Sequence, residues 1–140
     1  MRFLIFSILI AWTFALADAR AQQSGSTKLD AIEQIISQQI AAFRKDDAEK
    51  AFSFASPMIQ KRFRNPEFFL SMVARGYPQV YRPQSFRFGE RAELNNRTFQ
   101  KVLVVGPSGS QVTAVYEMMQ VEGKWRINGC QILKPKGQDV

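Results

Sequence analysis

The chain has 140 residues, enough for one domain with a single core, and a formal net charge of +7. It contains no histidine and one cysteine, Cys130. Without histidine there is no histidine-based catalytic triad, and the commonest metal ligand is missing. One cysteine excludes an internal disulfide, and carboxylates alone are poor ligands for zinc or copper. We therefore expect no cofactor and no metal site, and we expect Cys130, with its apolar neighbours, to be a buried and unreactive thiol.

The first 21 residues have the three-part layout of a secretory signal peptide. Arg2 precedes an apolar run over residues 3–17, and small residues follow at Ala17, Ala19 and Ala21. We predict cleavage after Ala21, with cleavage after Ala17 as the alternative, and export to the bacterial periplasm or the medium. The apolar run is short for a membrane span, which needs roughly 20 residues, so we expect no stable membrane anchor.

The positive charge is concentrated in one segment, residues 61–101. Such a segment can face nucleic acid, anionic lipid or an acidic partner, and an ordinary solvated surface is the alternative. Export argues against nucleic acid. Three acids (Glu67, Glu90 and Glu93) accompany nine basic residues here: Lys61, Arg62, Arg64, Arg75, Arg82, Arg87, Arg91, Arg97 and Lys101.

A polar leader over residues 22–27 precedes a single domain predicted over residues 28–134. The pattern predicts a first helix of about four turns, because apolar residues recur at steps of three and four. Thr27 and Asp30 fit a capping box with Thr27 as the N-cap. The apolar stripe consists of Leu29, Ile32, Ile36, Ile40 and Phe43.

Shorter helices are predicted to follow. Asp46-Asp47 ends the first helix and caps the second, and Pro57 begins another turn after Ser56. Asn65-Pro66 is a helix start, with asparagine as N-cap and proline at the first helical position, and Gly76 is a stop. The pairs Tyr77-Pro78 and Arg82-Pro83 predict an extended connector.

From Gln84 the period changes to that of strands. Phe86 and Phe88 alternate with Arg87 and Arg91, which predicts a half-buried first strand with the arginines facing outward. Three further strands are indicated, with turns at residues 95–96 and 122–124, a bulge at Gly129 and a loose tail over residues 135–140. Helices followed by an antiparallel sheet of about four strands predict an α+β fold.

Short groups of residues stand in a fixed order between about residue 30 and residue 133. They are Gln39 and Ala42; Asp46; Ala51-Phe52; Ala55-Ser56-Pro57; Pro66-Glu67-Phe68; Met72-Val73; Gly76-Tyr77-Pro78; Tyr81 and Pro83; Gln100-Lys101-Val102; Ala114-Val115-Tyr116; and Trp125-Arg126-Ile127-Asn128-Gly129-Cys130. This ordered set resembles domain-of-unknown-function family 4864, within the nuclear-transport-factor-2-like superfamily.

The resemblance implies a cone, in which a curved sheet wraps around the first helix. In many relatives the open end of the cone is a pocket for a small, often apolar, molecule, whereas others dimerise through the outer face of the sheet. The family carries no settled activity, so the resemblance implies a fold and no reaction.

Enzymes of this superfamily often use a pocket aspartate with a tyrosine or a second acid. Here Asp46 and Asp47 stand at a helix junction, where capping is the simpler role. Glu117 and Tyr116 are neighbours in a strand and therefore point to opposite faces. Glu90, on the inward register of the first strand, is the only sheet acid that could face the cone; the alternative is that it lies beyond the buried part of the strand. We predict no catalytic residue, and we lean against an enzyme.

Aromatic and methionine side chains are plentiful and could line an apolar cavity that carries a few hydroxyl groups. Plain core filling is the alternative. The candidate lining residues are Phe69, Met72, Tyr77, Tyr81, Phe86, Phe88, Tyr116, Met118 and Trp125.

These features predict an exported, non-catalytic binding domain. Its partner would be a small apolar ligand or another protein, with a homodimer as one form of the latter, and not nucleic acid. One alternative is a small enzyme that uses a carboxylate–tyrosine pair in the cone. Another is an envelope-surface protein that binds anionic lipid or polymer through residues 61–101.

Overall fold

Helices come first along the chain and strands follow in the computed structural model, which describes residues 29–135. The predicted signal peptide and polar leader, and nearly all of the predicted tail, lie outside the described residues. The helices are α1 (Ala31–Arg44), α2 (Ala48–Ser53), α3 (Pro57–Phe63), α4 (Pro66–Gly76) and α5 (Pro78–Tyr81). The strands are β1 (Ser85–Leu94), β2 (Arg97–Val105), β3 (Gln111–Val121) and β4 (Lys124–Leu133).

The four strands form one antiparallel sheet in the order β1-β2-β3-β4. The predicted α+β fold is confirmed. Each of the two tightest hairpins turns on two residues of positive φ, Asn95-Asn96 and Glu122-Gly123, a backbone that matches the twist of the flanking strands. Within residues 29–135, no helix is long and apolar enough to cross a membrane.

Helix α1 packs its apolar stripe against the inner face of the sheet. Ile32, Ile36, Ile40 and Phe43 are buried, as the spacing predicts. They meet alternate residues of the middle strands, because successive strand side chains point to opposite faces. These inward residues include Val102, Val104, Val112, Ala114 and Tyr116.

The start of α1 lies further along the chain than the sequence suggests. The N-cap is Asp30 and not Thr27: the Asp30 carboxylate accepts the Glu33 amide at 3.0 Å, and the Glu33 carboxylate accepts the Asp30 amide at 3.2 Å. Glutamate at the third helical position is the preferred partner in a capping box. A 2.6 Å ion pair between Asp30 and Arg91 adds a contact that the local sequence does not reveal.

The short helices begin where the capping signals predict. Asp47, Ser56 and Asn65 are the N-caps of α2, α3 and α4, and each accepts a backbone amide three residues on. The connector predicted as extended is instead the short helix α5. Pro78 is well suited to its first position because proline supplies a helical φ and has no amide to leave unpaired.

Two β-bulges shift the register of the sheet. In β4, Asn128 is the extra residue, because Glu117 pairs with Gly129 and Met118 with Ile127. The predicted bulge is therefore confirmed, one residue before Gly129, and it keeps both Ile127 and Cys130 on the helix side. The free edge of β4 is partly covered, since Ile127 exchanges backbone hydrogen bonds with Phe54 and Ser56, the connection between α2 and α3.

The second bulge lies in β1, between Phe88 and Arg91. It brings Arg91 to the inner face, where its Nε donates to Gln100 at 2.9 Å, so the prediction that Arg91 points outward is wrong. The bulge also leaves Glu90 outside, with its side chain 83 % exposed and 3.1 Å from Lys101. Side chains alternate between the two faces of a sheet only where the hydrogen bonding between strands is regular.

Candidate functional site: a cavity between the helices and the sheet

A cavity of about 450 Å³ lies between the helices and strands β3 and β4. This volume falls within the usual range for small-molecule sites, and the lining is mainly apolar. Most of the lining comes from α1, α3 and α4 on one side and from β3 and β4 on the other. It includes Phe43, Ala55, Ile59, Phe69, Val73, Val80 and Ile127.

The most deeply buried polar group at this cavity is the Tyr116 hydroxyl. Tyr116 is 1 % exposed, and its hydroxyl oxygen has no hydrogen-bond partner among residues 29–135. Nearby, Gln39 is also buried, but its Nε2 donates to the Ala51 carbonyl at 3.1 Å. A buried hydroxyl without a partner costs about 1–3 kcal/mol, and buried polar groups in native proteins are nearly all paired.

The deep end of the cavity carries no charge at neutral pH. Burial raises the pKa of Tyr116 well above its usual value, and the neighbouring Cys130 raises it further. Burial also raises the pKa of the Cys130 thiol to about 12. Both groups therefore stay protonated and neutral, because a low-dielectric site disfavours the charged form.

Cys130 is half-buried and lines the cavity, so it is less enclosed than its apolar neighbours in the sequence predict. The bulge at Asn128 explains its position. The extra residue returns Cys130 to the inner face, directly opposite Tyr116 on β3.

A series of side-chain hydrogen bonds lies beside the cavity at this bulge. The Ser56 hydroxyl donates to Asn128 Oδ1 at 2.7 Å, and Asn128 Nδ2 donates to the Glu117 carboxylate at 3.1 Å. Ser56 also accepts the Ile59 amide at 3.3 Å at the start of α3. These groups satisfy one another, so they hold α3 against β4.

The mouth of the cavity is formed by α3 and its neighbour α4. Met58, Arg62 and Phe63 of α3 all line it. Met58 is 60 % exposed, and Phe68 of α4, which is 55 % exposed, stacks on Phe63 with ring centroids 6.1 Å apart. The rim therefore combines exposed apolar side chains with one cation.

Four of the nine candidate lining residues come together at this cavity: Phe69, Met72, Tyr77 and Tyr116. Met118 lies buried in the core on the same sheet face, and Trp125 is half-buried opposite Gln120 near the β3–β4 turn. The other three candidates, Tyr81, Phe86 and Phe88, lie elsewhere.

Phe86 and Phe88 pack edge to face, 5.9 Å apart, on the inner face at the β1 edge of the sheet. Phe86 lines a second groove, of about 520 Å³, at the ends of strands β1, β2 and β3. The lining positions that aromatic content did not reveal include Gln39, Asn128 and Cys130. The predicted bulge was the signal for the last two, and Ser56, next to the lining residue Ala55, holds Asn128 by a hydrogen bond.

None of the carboxylates considered for catalysis lines this cavity. Asp47 caps α2, and Glu90 pairs with Lys101 outside the sheet. A carboxylate–tyrosine pair does occur: the Tyr81 hydroxyl donates to Asp46, which also pairs with Arg82 at 2.7 Å. This pair lies on the surface.

Within residues 29–135, no three potential ligands among histidine, cysteine, aspartate and glutamate cluster to hold a metal ion. The buried groups that face the cavity are a phenol, a thiol and amides, which suit hydrogen bonding to a neutral molecule.

Helices packed on a curved four-stranded antiparallel sheet, with a cavity between them, form a nuclear-transport-factor-2-like fold. A solved structure of a designed protein of that kind is similar to this chain, with 18 % identity and a TM-score of 0.50; the similarity covers 74 % of this chain and 96 % of the designed one. The family profile of DUF4864, a domain of unknown function, matches residues 26–140. The chain belongs to that family. No protein with a curated description matches it.

Proposed function

We propose that the protein is an exported, non-catalytic binding domain whose cavity holds a small, largely apolar molecule with one uncharged hydrogen-bond acceptor. The observation that carries this proposal is Tyr116, whose side chain lines the cavity and whose buried hydroxyl has no hydrogen-bond partner among residues 29–135. An occupant that accepts a hydrogen bond there would remove the cost of the unpaired hydroxyl.

The acceptor on the ligand is expected to be a carbonyl, ether or hydroxyl oxygen. The raised pKa of Tyr116 keeps the phenol protonated, so that it is available as a donor. A charged group at this depth would have to lose its hydration beside Phe43, Phe69 and Ile127, which is costly in an apolar site. The Cys130 thiol is a weak donor and a weak acceptor and favours the same neutral chemistry.

The test is a thermal-shift panel of neutral apolar carbonyl compounds and alcohols, followed by native mass spectrometry of the hits. The Tyr116→Phe variant is expected to bind hits about 3–10-fold more weakly, the effect of one neutral hydrogen bond. Tyr81→Phe is the matched control, because Tyr81 lies outside the cavity. Equal binding by wild type and Tyr116→Phe, or no hit and no co-purifying species, would contradict the proposal.

Export is a separate part of the proposal and rests on the N-terminal sequence alone. A hydrophobic run flanked by Arg2 and by small residues up to Ala21 is the pattern that signal peptidases cleave. Expression of the full chain, with cell fractionation and N-terminal sequencing, tests it. A mature terminus at Gln22 or Asp18 is expected, whereas an intact Met1 on cytoplasmic protein would overturn it.

A further inference from the structure

The basic residues of segment 61–101 fall into two groups in the folded protein. Four of them lie within 4 Å of a carboxylate: Arg82 with Asp46, Arg91 with Asp30, Arg97 with Glu117 and Lys101 with Glu90. Among residues 29–135, the other five form no such ion pair. Of these five, only Arg87 lies on the sheet, and the rest are on α3, on α4 or between them: Lys61, Arg62, Arg64 and Arg75. Within segment 61–101, the cations without an ion pair are therefore concentrated on one pair of helices.

Exposed apolar side chains stand on the same two helices. Met58 of α3 and Phe68 of α4 are two of the most exposed large hydrophobic residues in residues 29–135. They are connected through Phe63, which lines the cavity with Met58 and stacks on Phe68. The two side chains therefore belong to one continuous apolar rim.

Helical spacing puts three of the four cations beside these apolar residues, and Arg64 lies in the connection between the two helices. On α4, Phe68, Met72 and Arg75 follow at steps of four and three, so they share one stripe. On α3, Lys61 and Arg62 follow Met58 at the same steps. We call this surface the α3–α4 face; it consists of Met58, Lys61, Arg62, Arg64, Phe68 and Arg75.

We propose that the α3–α4 face docks on an anionic lipid bilayer. Met58 and Phe68 would enter the boundary between headgroups and acyl chains, while the four cations pair with lipid phosphates. A helical surface with protruding apolar side chains flanked by lysine and arginine is the pattern of interfacial membrane binding. A soluble acidic protein would engage the cations but leaves the two protruding apolar side chains without a function.

The position of the cavity gives this docking a consequence. Met58, Arg62 and Phe63 belong to its mouth, so a bilayer on the α3–α4 face would lie against the opening. An apolar molecule could then pass between membrane and cavity without crossing water. The docking itself does not require a ligand in the cavity, so it can be tested independently of the proposed ligand.

The protein is purified after any processing in the cell and is co-sedimented with vesicles of phosphatidylcholine alone or mixed with phosphatidylglycerol. Binding is expected only with the anionic lipid and is expected to fall steeply as salt is raised. A Lys61→Gln/Arg62→Gln variant is expected to bind at least about tenfold more weakly, since each surface cation adds to the attraction. A Met58→Ser/Phe68→Ser variant is also expected to lose binding.

The matched control is Arg97→Gln/Lys101→Gln, which removes the same charge from paired residues on the sheet. It is expected to bind within about twofold of wild type, since those cations are already neutralised. Circular dichroism melts establish that each variant is folded. Equal losses in the two charge variants, binding insensitive to salt, or no binding to anionic vesicles would overturn the proposal. Tyr116→Phe is expected to bind vesicles like wild type, which separates this result from the fate of the cavity ligand.

Discussion

Tyr116 and Cys130 lie directly opposite each other on β3 and β4, and both side chains line the cavity. The pairing places two protonated, weakly polar groups at one spot in an otherwise apolar lining. It exists because the bulge at Asn128 keeps Cys130 on the inner face. The raised pKa values of both groups and the unpaired Tyr116 hydroxyl follow from this placement, and each leads to a measurable consequence.

Without a ligand, Tyr116→Phe is expected to leave the free energy of unfolding unchanged or to raise it by up to about 1 kcal/mol. The substitution removes a buried hydroxyl that has no partner and keeps the ring that packs in the core. Urea denaturation followed by circular dichroism measures the difference. A loss of more than about 1 kcal/mol would mean that the hydroxyl is stabilised by a contact in the folded protein.

The Cys130 thiol is expected to react slowly with iodoacetamide in the folded protein at pH 8. Only the thiolate is nucleophilic, and burial raises the pKa of Cys130 to about 12, so that very little thiolate exists at that pH. The rate is expected to rise at least about tenfold in denaturing urea, where the pKa returns towards its ordinary value of about 8.5. Mass spectrometry of quenched samples measures both rates; rapid labelling of the folded chain would show that the thiol is not shielded.

Acid is expected to weaken the contacts of Asp46 with Tyr81 and Arg82, at the end of α5. The Tyr81 hydroxyl and then the Arg82 guanidinium hold the pKa of Asp46 below its ordinary value. A carboxyl whose pKa is lowered by folding stabilises the protein fully above its unfolded pKa, about 4. It loses that contribution as the pH falls through the lower folded pKa.

Asp46→Asn is therefore expected to narrow the difference in thermal midpoint between pH 6 and pH 3. Glu49→Gln, which changes an exposed acid of α2 with no ion pair among residues 29–135, is the control and is expected to behave like wild type. Identical pH profiles for Asp46→Asn and wild type would contradict the assignment.

Asp30→Ala is expected to lower the free energy of unfolding by about 1 kcal/mol, the usual cost of losing an N-cap. The change removes half of the capping box of α1 together with the partner of Arg91. Chemical denaturation measures the free energy of unfolding. Glu49→Ala is the comparison, and its free energy of unfolding is expected to lie within about 0.5 kcal/mol of wild type, as is usual for a surface change. Equal stability of Asp30→Ala and wild type would mean that α1 does not depend on this cap.

Side-chain placement at the cavity was predicted less completely than the fold. Phe69, Met72, Tyr77 and Tyr116 line the cavity, but the aromatic residues Phe86 and Phe88 lie at the β1 edge of the sheet, away from it. Aromatic content indicates that a residue is buried. It does not indicate which of two regions, on the inner face of one sheet, the residue occupies.

Local signals in the sequence were sufficient for the starts of α2, α3 and α4, for the hairpin turns and for the order of helices before strands. Capping at Asn65 and the turn at Asn95-Asn96 depend on contacts within a few residues, so the chain encodes them directly. Ser56 and Asn128 are 72 residues apart in the chain, and only the packing of α3 against the edge of β4 joins them.

The β1 bulge likewise determines on which face of the sheet Arg91 and Glu90 lie, because one extra residue moves every side chain beyond it to the opposite face. The unpaired Tyr116 hydroxyl, and which cations of segment 61–101 pair with a carboxylate, were also decided in three dimensions. Both depend on whether a side chain has a hydrogen-bond or ion-pair partner. Such partners are distant in the chain, so the tertiary structure alone decides whether they meet.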